Sequence, residues 1–172
     1  MHTSSPTNDH PLLTPSLLAR LQAVTAHYWR THGHDQPGPR RHTSWCGFYL
    51  IDADEQTMTL ICREPKPACS PIGLQGMCGR GWRERKTFIV PDVKVLGENY
   101  IACDARDISE LVVPIYDLDG ANPQKCIGVF DVDSYERGAF TEQDAEETMA
   151  LLKKFQLLPS SVVTDAVWIK LS

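Results

Sequence analysis

Apolar positions along this chain repeat with two periods, and their alternation predicts an α+β domain. Leu17, Leu21, Val24 and Tyr28 fall three or four residues apart, the spacing of one helix face over 15–29. Thr14 stands where an N-cap is needed, Pro15 suits the first helical position, and Gly33 supplies a stop. The run Trp45-Cys46-Gly47-Phe48-Tyr49-Leu50-Ile51 is short, aromatic and apolar, which predicts a strand. A polar turn at 52–56 returns the chain as a second strand over 57–62. Residues 110–116 are apolar on both alternating sets, as in a strand covered on both faces, and 126–133 predicts the last strand. Thr141-Glu142-Gln143-Asp144 has the form of a capping box opening a helix to about 155. Hairpin-connected strands with a helix at each end imply a central antiparallel sheet flanked by N- and C-terminal helices. The domain is expected over 14–155, behind a flexible tail at 1–13. In the extension at 156–172, Val162, Val163, Val167, Trp168 and Ile169 are apolar enough to add a strand or dock on the surface.

The pattern breaks between 66 and 110. Glycines at 73, 76, 79, 81 and 97 exclude a continuous helix or a central strand there. Met77, Trp82, Phe88, Ile89 and Val90 interrupt the stretch too often for disorder, and they leave room for a short helix within 76–85 and a strand over 87–90. Long excursions from compact domains are either functional or disordered, so this structured loop is where function is expected.

Composition narrows the classes. A chain of 172 residues suits one domain with a single sizeable core. A net charge of −5 lacks the basic footprint that a nucleic-acid backbone demands. No apolar run approaches membrane-crossing length, and the first fifteen residues hold no apolar core of a secretory signal. The expectation is a soluble, cytoplasmic protein without nucleic-acid or membrane partners. Of its cysteines, Cys46, Cys62 and Cys126 fall in predicted strands and read as small buried thiols. A reducing compartment makes structural disulfides uncommon. Cys69, Cys78 and Cys103, in the loop, are therefore the candidates for chemistry. Structural zinc expects paired, closely spaced cysteines, which the loop lacks, so no metal is expected.

Cys103 stands just before Asp104, in the link feeding the strand that opens with Ser109-Glu110. Asp131 and Asp133, two apart at the end of the last strand, project on one face. If these acids converge near Cys103, they would attract an ammonium group. Like charges held together also raise one pKa, leaving a protonated acid able to deliver a proton while sulfur attacks. A second cysteine within reach turns such a nucleophile into a redox cycle, because a sulfenic acid condenses with a thiol to a disulfide. Cys69 and Cys78 are both candidates for that resolving role.

The segments Lys66-Pro67-Ala68-Cys69, Gly76-Met77-Cys78-Gly79, Ile89-Val90-Pro91-Asp92-Val93, Ile101-Ala102-Cys103-Asp104, Ser109-Glu110-Leu111-Val112-Val113-Pro114-Ile115 and Gly128-Val129-Phe130-Asp131-Val132-Asp133-Ser134 occur in this order. Together with the first strand, they resemble the free methionine-(R)-sulfoxide reductases, which are GAF-domain enzymes, over about 14–155. The resemblance implies a GAF-like fold and catalysis without a cofactor. It implies that Cys103 attacks the sulfoxide sulfur of free methionine-R-sulfoxide and becomes a sulfenic acid. Cys69 then closes a disulfide that thioredoxin reduces, and Cys78 is the third cysteine of the motif set. Glu110, Asp131 and Asp133 match substrate-binding acids, for the sulfoxide oxygen and the amino group. Trp45 and Tyr49 match positions lining the pocket for the methyl end. A homodimer is left open. A ligand-binding GAF sensor would need the pocket but not Cys103, and a peroxide-responsive thiol switch would not need the three acids together.

Overall fold

Thr14 opens helix α1 (Pro15–His32): its hydroxyl accepts from the Leu17 N–H at 3.0 Å, and Pro15 fills the first position. The helix continues to His32, beyond the expected end at 29, and the Gly33 N–H closes it on the Trp29 carbonyl at 2.8 Å. These are features of a computed structural model, which describes residues 9–39, 41–99, 103–161 and 167–168. Strands β1 (Trp45–Ile51) and β2 (Thr57–Glu64) form the expected hairpin, with β2 two residues longer than its apolar run because Glu64 still pairs with Cys46 across a bulge. The loop that follows carries a two-residue strand β3 (Ile72–Gly73), helix α2 (Met77–Glu84), strand β4 (Phe88–Val90) and a kinked 3-10 segment, Val93–Asn99. Strands β5 (Ser109–Tyr116) and β6 (Cys126–Ser134) precede helix α3 (Glu142–Lys154). Thr141 and Asp144 close the expected capping box, with Thr141 N–H donating to Asp144 at 2.8 Å.

The strands form one sheet in the order β3-β2-β1-β6-β5-β4-β7, where β7 is Val167–Trp168. Every neighbouring pair is antiparallel except β4 and β7, which run parallel. The strand period of two divides the side chains between two apolar layers. Cys46, Phe48, Leu50, Leu111, Val113, Phe130 and Val132 face helices α1 and α3. Phe130 stacks on Phe48 at 4.5 Å and meets the edge of Tyr28 at 5.2 Å, burial worth roughly 2–3 kcal/mol for such a side chain. The alternate set, Trp45, Tyr49, Val112 and Val129, faces α2 and the long loop. Helix α2 lies close on this face because Gly81 has no side chain: a Cβ there would stand 2.8 Å from Val112 Cγ1.

Both ends of the described chain are tied to the sheet. In the 1–13 segment, His10 is buried; its Nδ1 accepts from the Leu12 N–H, so its Nε2–H faces Asp52 Oδ1 at 3.2 Å. Beyond 155, Leu157 and Leu158 are buried in the helix-side core, and the Leu157 carbonyl accepts from the Tyr116 N–H at 2.7 Å. Val167 and Trp168 supply the added strand, while the candidates Val162, Val163 and Ile169 lie outside the described residues. Among the described residues no helix is long and apolar enough to cross a membrane.

Candidate active site

Three interior strands place the acids. In register, Trp45 of β1 stands opposite Asp133 of β6, which stands opposite Glu110 of β5. One step along, Gly47, Asp131 and Val112 make the next row, and Tyr49 and Val129 begin the one after. One sheet face therefore carries two aromatic residues on β1, two aspartates on β6 and a glutamate on β5. Gly47 is part of this design. A Cβ there would stand 2.5 Å from Trp45 Cη2 and 2.8 Å from the Cys62 carbonyl, so the indole occupies the space a larger residue would fill.

Above this face lies a cavity of about 330 Å³ lined by Trp45, Tyr49, Met77, Cys78, Cys103, Glu110, Asp131 and Asp133, together with loop residues including Lys66, Asp104 and Asp107. Seven of the eight expected site residues thus border one space; Cys69 is joined to it by a disulfide to Cys103, with the two Cα atoms 5.7 Å apart. Cys46, Cys62, Cys78 and Cys126 are free and buried. Residues Ile101 and Ala102 of the motif before Cys103 lie outside the described residues.

Burial sets the chemistry of the acids. It pushes the Glu110 carboxyl up from its ordinary 4.5 to about 8, with the charge of Asp133 adding to the shift. Asp131 and Asp133 are also raised well above the usual carboxylate range, by burial first and then by Glu110 and Asp131 respectively. Burial, followed by Asp131 and Glu110, holds the Cys78 thiol protonated, which makes it a poor nucleophile. Asp131 Oδ1 is buried with no hydrogen-bond partner at bonding distance among the described residues, although the Glu110 and Cys78 side chains act on the Asp131 carboxyl. Cys78, Glu110 and Asp131 bring one donor atom each within 4.8 Å of one another and are the described groups that could hold a cation.

The loop reaches the site through contacts that periodicity does not reveal. Trp45 Nε1 donates to the Lys66 carbonyl at 2.9 Å, and the Tyr49 hydroxyl donates to the Cys69 carbonyl at 2.8 Å. The two aromatic residues therefore also anchor the segment bearing Cys69. On the Cys103 side, Asp104 accepts from Lys66 Nζ at 2.5 Å, from Arg106 Nη2 at 2.8 Å and from the Tyr135 hydroxyl at 3.1 Å. Arg106, then Lys66, hold its carboxyl well below the usual range against the effect of burial. This clasp joins the segments carrying the two cysteines independently of the disulfide. Sequence reasoning missed Asp107, Lys66 and Arg106, treating 104–109 as a polar link; the only signal was charge in a chemistry-bearing loop.

No family model matches the sequence. The chain is 37% identical over 110 residues to GAF domain-containing protein A of Dictyostelium discoideum, covering 63% of this chain and 65% of that protein. It is 38% identical over 112 residues to the free methionine-R-sulfoxide reductase of Saccharomyces cerevisiae, covering 64% and 59%. The matches thus span less than two thirds of either relative. Among solved structures, the free methionine-R-sulfoxide reductase of Neisseria meningitidis in complex with its substrate aligns at TM-score 0.66. That alignment has 31% identity and covers 81% of this chain and 75% of the other. The fold is that of a GAF domain.

Proposed function

Because the chain belongs to the free methionine-R-sulfoxide reductase family, we propose that it reduces free methionine-R-sulfoxide to methionine, with Cys103 as nucleophile and Cys69 as resolving thiol. One observation carries the proposal: the Cys69–Cys103 disulfide stands at a cavity floored by the buried carboxyls of Glu110 and Asp131, with the half-buried Asp133 beside them. A passive ligand sensor needs neither cysteine there.

The reduced Cys103 sulfur attacks the sulfoxide sulfur. Glu110, protonated at neutral pH by its raised pKa, gives its proton to the sulfoxide oxygen. Oxygen passes to Cys103 as methionine leaves, so the substrate sulfur gains two electrons and the cysteine sulfur, now a sulfenic acid, loses two. The Cys69 thiol displaces that oxygen as water and closes the disulfide. A dithiol reductant, thioredoxin on the family's pattern, reopens it by exchange, which calls for a reducing compartment such as the cytoplasm. Trp45 and Tyr49 border the methyl end of the substrate, while Asp131 and Asp133 receive its amino group. Cys78 forms part of the wall. Burial of the acids supports a free amino acid over a polypeptide, whose backbone could not follow its side chain to the sheet.

The test is steady-state turnover of free R and S methionine sulfoxides with a thioredoxin system. R-dependent consumption of reductant by the wild type, absent in Cys103→Ser, is expected; no R-dependent turnover with the cysteines confirmed reduced overturns the proposal.

A further inference from the structure

We propose that Asp107 is the anionic anchor that recruits the substrate's ammonium group, and so a specificity residue for the free amino acid. The inference rests on the reductase reading and adds a residue to it. Asp107 lies on the link between Cys103 and β5 and lines the same cavity as Glu110, Asp131 and Asp133. Its Oδ1 accepts from Ser44 Oγ at 2.9 Å. Ser44 is itself buried, and its N–H donates to the Asp133 carbonyl at 2.8 Å, so the hydroxyl that orients Asp107 is fixed to the strand bearing two of the acids.

Charge separates Asp107 from its neighbours. Glu110 and Asp131 are buried on the strands and Asp133 is half-buried there; burial raises the Glu110 carboxyl to about 8 and those of Asp131 and Asp133 well above the usual carboxylate range. Asp104 is ionised, but Lys66, Arg106 and Tyr135 occupy its oxygens. Asp107 is half-buried, and no ion pair ties it among the described residues. Burial raises its carboxyl to about 6, with the Ser44 hydrogen bond opposing and the Asp104 charge adding to the shift. The more distant charges of Lys66 and Arg106 favour its ionised form, and at neutral pH it is a lining carboxylate with no cation in direct contact among the described residues. An ammonium group entering the cavity meets that charge first, and the buried Asp131 Oδ1, unbonded among the described residues, offers a second acceptor. Recognition by a charged hydrogen bond discriminates strongly against ligands that lack the donor.

The test compares kcat and KM for free methionine-R-sulfoxide and its N-acetyl derivative in the wild type, Asp107→Asn and Asp107→Glu. Asparagine keeps the acceptor for Ser44, so the loop retains its anchor. For Asp107→Asn, KM for the free substrate is expected to rise about tenfold or more, while kcat/KM for the N-acetyl derivative changes less than about twofold. Asp107→Glu should recover part of the loss. An unchanged KM, or an equal loss for both substrates, overturns the proposal while leaving the reductase reading intact. A wild type that reduces neither substrate overturns both.

Discussion

Glu110 makes stability and activity pull in opposite directions, and Glu110→Gln separates them. Burial raises its pKa on folding, so the stability linked to its proton is complete below the unfolded value of 4.5 and is lost as pH rises through about 8. The shift from 4.5 to about 8 corresponds to a penalty below ~1 kcal/mol at pH 5, ~3 kcal/mol at pH 7 and ~5 kcal/mol at pH 9. Glutamine has nearly the same shape, does not titrate, and presents an amide N–H₂ to the Asp131 carboxyl that Glu110 already faces. The variant should therefore be more stable than the wild type, by an amount that grows with pH. Near pH 7, ~3 kcal/mol implies a Tm gain of roughly 6–12 °C for a chain of this size. Thermal and urea unfolding of both proteins at pH 5, 7 and 9, with the cysteines kept reduced, gives the comparison. Turnover should fall at least ~100-fold, because the proton donor is gone. A stability difference that stays flat from pH 5 to 9, or a variant less stable at pH 9, would refute the reasoning.

Two further outcomes follow from the same geometry. Because the protonated form of Glu110 acts as the acid, kcat should decline as pH rises through about 8; a flat wild-type profile from pH 7 to 9 under saturating substrate removes Glu110 from that role. Gly47→Ala places a methyl 2.5 Å from Trp45 Cη2, so the indole must move: KM should rise several-fold with a shift in tryptophan fluorescence, and unchanged values of both would contradict the packing.

Much of the frame is legible in the residues because it depends on local rules. Thr14-Pro15 and the Thr141 capping box mark helix starts by their own chemistry, and Trp45–Ile51 is a strand on composition alone. The elements missed or left open are those whose stability comes from elsewhere in the fold. Ile72–Gly73 is a strand only because Thr57 and Met58 are beside it, and Val167–Trp168 only because β4 offers an open edge. Likewise, the same-face placement of Asp131 and Asp133 follows from strand period, whereas their row with Glu110 and Trp45 depends on register across three strands. The clasp brings Lys66 and Tyr135, both far away in sequence, to the neighbouring Asp104 and Arg106, so spacing carries no trace of the long-range part.

The decisive measurement is a single turnover without external reductant. Fully reduced protein is mixed with excess free methionine-R-sulfoxide, methionine is counted, and the cysteine-containing peptides are mapped by mass. The reductase reading predicts about one methionine per chain, with oxidation confined to a Cys69–Cys103 disulfide. In Cys69→Ser, the same single methionine should appear with a sulfenic acid left on Cys103. No methionine from the reduced wild type, or oxidation that leaves Cys103 untouched, would contradict it.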